Sequence, residues 1–124
     1  IMLGSFILSA ENFVEMYEKS WAMRKSLTKS IEDTLLVVDT LVLPVSPTVS
    51  PKWSEIENMT PAQIYYSDYM TVPFSLAGVP AISMPLHKTE EGLHIGMQFV
   101  CSKFKDYELI DKLLHLEKII GEGK

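Results

Sequence analysis

The sequence predicts an α/β chain, a short mixed sheet flanked by helices. Three observations lead there: one long stretch with apolar residues at helical spacing, one short continuous apolar segment, and two apolar segments joined by a polar turn. From Ser9 to about Leu36, the residues Phe13, Tyr17, Trp21, Leu27, Ile31 and Leu35 fall mostly at steps of four. Glu11, Glu15, Lys19, Lys25, Lys29 and Glu32 take the other faces. That is the pattern of an amphipathic helix. Ser9 suits its N-cap, Glu11 lies where the helix dipole favours an anion, and Glu15 with Lys19 forms an i,i+4 pair.

The segment Asp39-Thr-Leu-Val-Leu-Pro-Val45 is short, apolar and β-branched, and predicts a buried strand covered on both faces. Pro44 argues against its last residues lying in a central ladder. Pro47 and Pro51 make Ser46 to Asn58 a loop. Thr60-Pro-Ala-Gln63 then starts a helix: a Thr N-cap, Pro in the first helical position, and Gln63 placed to return a hydrogen bond to the cap. This helix is expected to carry Ile64, Tyr65, Tyr66, Asp68, Tyr69 and Met70, with Pro73 limiting its length. Phe74 to Gly78 adds one helical turn closed by glycine. Ala81–Leu86 and Leu93–Val100, joined by the polar turn Lys88–Gly92, predict a hairpin. Asp106 is expected to cap a last helix with Leu109, Leu113, Leu116 and Ile120 on one face and Gly121 as its stop.

With 124 residues, 47% hydrophobic and 22% charged, the chain is one packed globular domain's worth of polymer. The net charge is −5, and the eleven basic residues are scattered, which argues against direct binding to a phosphate backbone. The longest uncharged run, between Asp68 and His87, is broken by prolines and a glycine, so no membrane span is expected. Cys101 is the only cysteine, and His87, His94 and His115 are widely separated, so neither a disulfide nor a zinc site is expected; a reducing cytoplasm fits. The chain opens on Ile1 without a leader pattern, and this start reads as a cut end.

Nucleophilic hydrolysis needs an activated hydroxyl or thiol and usually a glycine-rich turn that supplies oxyanion amides. All six glycines stand apart, and neither Gly-x-Ser-x-Gly nor a Gly-rich phosphate loop occurs, so no catalytic residue is assigned. Cys101, apolar-flanked at a strand end, reads as packing, and His94 as an outward-facing strand residue. Asp68 is the exception. It lies among Tyr65, Tyr66 and Tyr69, just ahead of Pro73-Phe-Ser-Leu-Ala-Gly78. A carboxylate there is either a solvated helix residue or an anchor for a ligand's ammonium group.

Asp68-Tyr-Met-Thr-Val-Pro-Phe-Ser-Leu-Ala-Gly-Val-Pro-Ala-Ile-Ser-Met-Pro85, followed by Gly92-Leu-His-Ile-Gly-Met-Gln98, resembles the C-terminal end of amidase-signature enzymes. Within that family it looks most like the glutaminase subunits of tRNA-dependent amidotransferases. The likeness runs from Ile1 to about Ile120 and includes Ile1-Met-Leu-Gly4, Tyr17, Arg24 and Ser46-Pro-Thr48, leaving 121–124 as a flexible tail. Phe74-Ser75 stands where many relatives have Asn, and Met97 and Phe99 flank Gln98 as further departures.

The resemblance implies the C-terminal portion of the amidase-signature fold and a glutaminase parent that supplies ammonia to convert Glu-tRNA(Gln) to Gln-tRNA(Gln). It implies a Ser, cis-Ser, Lys triad upstream of this chain, which would leave the fragment inactive alone. It implies that Asp68 holds the α-amino group of bound glutamine, and that an arginine for the α-carboxylate lies just before Ile1. The B and C subunits of a heterotrimeric amidotransferase would be partners, ATP and Mg would sit on the B subunit, and tRNA would be met only through the complex. A general amidase of the same family and a stand-alone interaction module are the other readings. Strands built for missing neighbours would also make the isolated chain self-associate.

Overall fold

The computed structural model describes Ser9 and residues 13–122, with side chains to residue 120. The expected anion at Glu11 lies outside the described residues. A π-helical turn, Phe13–Glu18, leads into the long helix α1 (Lys19–Leu35). The Phe13 N–H donates to the Ser9 carbonyl at 2.9 Å, so the chain begins to coil at the residue expected as cap. Lys19 Nζ lies 3.6 Å from the Glu15 carboxylate, an exposed pair worth a few tenths of a kcal/mol. Only the C-terminal half of the apolar stripe is covered: Ile31 and Leu35 are buried, whereas Trp21 is 47% exposed.

The strands are β1 (Leu41–Pro44), β2 (Ala81–Lys88) and β3 (His94–Val100), in the order β1-β3-β2. Both pairings are antiparallel, so the described strands do not form the mixed sheet expected. The reason is topological: β2 and β3 form the expected hairpin, and β1 pairs with the other side of β3, so the two strands that run the same way are kept apart. The hairpin connection is tight. Gly92 has φ +85°, a conformation favouring glycine, and donates to the Thr89 carbonyl at 2.9 Å. The ladder slips between Pro85 and His87, where proline removes a donor on an outer strand.

β1 also departs from expectation. Leu41 and Leu43 are half-buried while Val42 is 52% exposed, so only one face is covered, as suits an outer strand. Pro44 ends it there, where a missing N–H costs no central hydrogen bond. The expected loop over Ser46–Asn58 contains one short helix, α2 (Trp53–Ile56), in which Glu55 accepts from the Lys52 N–H at 2.8 Å. Helices α3 (Pro61–Ser67), α4 (Val72–Ala77) and α5 (Asp106–Glu122) complete the chain. Asp106 is the first residue of α5 and not its cap: the Leu109 N–H donates to the Lys105 carbonyl, one residue earlier. The helix continues past Gly121, the expected stop, because a helical glycine costs only about 1 kcal/mol.

The sheet separates two apolar clusters. On one face Ile31 and Leu35 of α1, Phe74 and Ala77 of α4, Val79 and Val100 pack together, with Leu41 and Leu43 of β1 against them. On the other, Phe99 and Cys101 meet Leu109 and Leu113 of α5, with Ile82, Met84 and Leu86 of β2 beside them. Alternation along β3 sends Val100 to one cluster and Phe99 to the other. Large apolar side chains remain outside both: Leu36 is 82% exposed, Trp53 82% and Phe104 95%. With two outer strands and these side chains open, the chain purified alone is expected to self-associate as its concentration rises. Sedimentation velocity checks this, and one monomeric species at every concentration would contradict it.

Candidate functional site

Asp68 stands at a corner built by two helix ends. Thr60 caps α3 as its sequence demands: the Gln63 N–H donates to Thr60 Oγ1 at 3.3 Å, and the Thr60 N–H donates to Gln63 Oε1 at 2.9 Å. The helix stops earlier than expected. Ser67 is its last residue, Asp68 is its C-cap at φ −93° and ψ 0°, and Tyr69 and Met70 lie in the turn beyond. Pro73 sits in the first turn of α4, where a missing N–H is tolerated, so the polypeptide must change direction before it.

The corner satisfies its own backbone. The Asp68 carbonyl accepts from the Thr71 N–H at 3.1 Å, the Val72 N–H at 3.0 Å and Thr71 Oγ1 at 3.2 Å. Helix α4 closes as expected on Gly78, whose φ of +69° would strain any other residue. Arg24 of α1 donates from Nε to the Leu76 carbonyl at 2.7 Å, placing a cation at the negative end of that helix.

The Asp68 carboxylate itself is exposed and, among the described residues, makes no hydrogen bond or ion pair. The nearby residues in sequence Tyr65, Tyr66 and Tyr69 are exposed, with the rings of Tyr66 and Tyr69 stacked 6.0 Å apart. Beside the corner, a cleft of about 480 Å³ separates the loop after β1 from α3, with Ser46, Thr48, Val49, Gln63, Tyr66 and Ser67 among its walls. Asp68 is adjacent in sequence to this lining but not part of it. Chemically, the corner offers one exposed, unpaired anion, which suits a ligand's cationic group.

The other residues weighed in the sequence are placed apart from this corner. Cys101 is 2% exposed in the cluster under α5, and its thiol lies 3.5 Å from the carbonyls of Ser102 and Lys105. Burial pushes that thiol's pKa up and the Asp106 carboxylate adds to the effect, which disfavours the nucleophilic thiolate. His94 and His87 are exposed on the hairpin. Among the described residues no three His, Cys, Asp or Glu side chains gather as a metal site, and no helix is long and apolar enough to cross a membrane. Sequence reasoning includes Gln98 in the family likeness but gives it no role. It is 3% exposed, and its Nε2 donates to the carbonyls of Pro44 and Met70. A signal for it exists: a primary amide at an inward position of an otherwise apolar strand must find partners.

Residues 1–110 match the amidase family model, and the chain belongs to that family. It is 37% identical over 121 residues to the A subunit of the Wolinella succinogenes glutamyl-tRNA(Gln) amidotransferase, covering 98% of this chain and 26% of that protein. The crystal structure of the corresponding Thermotoga maritima glutamyl-tRNA(Gln) amidotransferase chain superposes with a TM-score of 0.73 at 31% identity, over 87% of this chain and 23% of that one. Kluyveromyces lactis allophanate hydrolase gives 0.67 at 25% identity, over 87% of this chain and 17% of that one. The chain thus spans about a quarter of the length of the curated relatives it matches.

Proposed function

We propose that residues 1–120 are the C-terminal segment of the glutamine-hydrolysing A subunit of a glutamyl-tRNA(Gln) amidotransferase, with 121–124 as a tail. In this reading the attacking serine and its lysine lie on an upstream segment, and this chain supplies recognition. The full-length parent releases ammonia from glutamine in a cytoplasmic complex with the B and C subunits, where the ammonia converts Glu-tRNA(Gln) to Gln-tRNA(Gln). ATP and Mg act on the B subunit, and tRNA is reached only through the complex. The observation that carries the reading is the likeness to the Wolinella succinogenes protein over 98% of this chain.

Asp68 is the residue assigned to substrate. An amino-acid ligand carries an ammonium and a carboxylate, so its site needs one fixed anion and one fixed cation, each stronger in a partly dry pocket than in water. Asp68 is unpaired at a backbone corner whose hydrogen bonds are complete, which suits it to take the ammonium. The arginine expected for the ligand's carboxylate belongs to the upstream segment.

The likeness to allophanate hydrolase favours a second reading, in which the parent is a general amidase acting on another carboxamide. Extending the reading frame upstream decides between these and a stand-alone module: a Gly-Ser-rich motif preceded by a lysine supports an enzyme parent, and a nearby start codon opposes it. Ammonia release from glutamine as against other carboxamides then separates the two enzyme readings. The purified chain alone is expected to release no ammonia from glutamine. Turnover above buffer would show that the nucleophile is here after all.

A further inference from the structure

Packing holds the Asp68 corner only weakly, with Met70 and Thr71 half-buried and the residues before them exposed. Helix α3 buries none of its residues, and the first buried side chain after Asp68 is Phe74. The corner's own hydrogen bonds are local, joining Asp68 to Tyr65, Thr71 and Val72 and Tyr69 to Tyr66. Among the described residues, one hydrogen bond reaches from residues 68–71 to the sheet, and Gln98 makes it.

Gln98 lies near the middle of β3, opposite Leu43 and Ser83. Its Nε2 donates to the Met70 carbonyl at 2.8 Å and to the Pro44 carbonyl at 2.9 Å. Both acceptors are carbonyl oxygens, so only the NH2 end of the amide can face them. Met70 is two residues past Asp68. Pro44 is where β1 passes into the loop that forms the opposite wall of the cleft. One nearly buried amide therefore ties together both sides of the opening beside Asp68, and burial makes those bonds costly to lose.

We propose that Gln98 is a positioning residue for ligand binding: by holding the Met70 and Pro44 carbonyls it fixes the Asp68 carboxylate relative to the loop after β1. This rests on the assignment of Asp68 to the ligand's ammonium. The test is Gln98→Met in the full-length parent enzyme, a change that keeps length and bulk and removes both donors.

KM for glutamine should rise about tenfold with kcat within about twofold, because binding alone is misaligned. For 5-amino-5-oxopentanoate, which is glutamine without its α-amino group, the variant and the parent should have equal KM. Equal penalties on both substrates, or a fall in kcat at unchanged KM, would overturn the proposal, since either marks a loss unrelated to the ammonium contact. If Gln98→Met fails to fold, Gln98→Asn keeps the amide but shortens its reach, and should show the same selective rise in smaller measure. Asp68→Asn is run alongside. If it raises KM for glutamine while the Gln98 variants do not, the positioning role fails and the Asp68 assignment stands. If Asp68→Asn itself leaves KM unchanged, the assignment fails and the positioning role falls with it.

Discussion

Changing Asp68 to Ala in the full-length parent enzyme is expected to lower kcat/KM for glutamine by about 2 to 4 kcal/mol, or ~30- to ~900-fold. The size follows from what is removed. A charged contact inside a filled site leaves its partner, here the ammonium, dry and unpaired once the anion is gone. The change should cost little stability, because the Asp68 side chain bonds to no other described residue and the corner is held through its backbone carbonyl, which alanine keeps. A thermal melt close to that of the parent, together with the kinetic loss, is therefore the expected signature. An unchanged kcat/KM would mark Asp68 as a solvated helix end and remove the recognition role from this chain.

How far the site can be foreseen depends on whether the determining interactions are local. Thr60, Pro61 and Gln63 specify a helix start within four residues, and that start is present with both hydrogen bonds. Gly78 ends α4 because its left-handed conformation is a property of one residue. The steps of four from Leu27 to Leu35 also announce a buried face, and that face is packed on α4 and the sheet. By contrast, helical spacing among its neighbours puts Asp68 inside a helix that in fact stops before it. What ends α3 at Ser67 is the need to enter α4 at Val72, and that depends on the seating of Phe74 in the core.

The other departures share that cause. The continuous Leu-Val-Leu of β1 predicts cover on both faces, yet a strand's position in a sheet is decided by its partners, and β3 takes the centre. Phe13, Tyr17 and Trp21 continue the stripe of α1 but stay exposed, since the described residues contain nothing to cover them. Gln98 is visible in the sequence as a residue but not as a clamp. Its acceptors lie 54 and 28 positions away, and no local pattern encodes such distances.

Leu109→Ala should be the most damaging change to the fold, costing about 2 to 5 kcal/mol against the roughly 5 to 15 kcal/mol that stabilises a typical domain. Leu109 is 1% exposed and packs with Phe99, Cys101 and Leu113, so it is the central knob by which α5 grips the sheet. Removing its side chain leaves a hole bounded by β3 on one side and helix on the other, and neither can close in without disturbing the ladder to β1 and β2. Leu114, five residues on and 52% exposed, provides the control: Leu114→Ala should shift stability by no more than about 0.5 kcal/mol. Urea unfolding at low protein concentration measures both. Because α5 lies across the sheet from α1 and α4, loss of Leu109 should loosen the hairpin face while leaving the opposite cluster around Phe74 and Val100 the last to melt, a difference that amide exchange resolves. Equal destabilisation by the two alanines would mean that α5 is not anchored through Leu109, and the division of the core into two clusters would have to be abandoned.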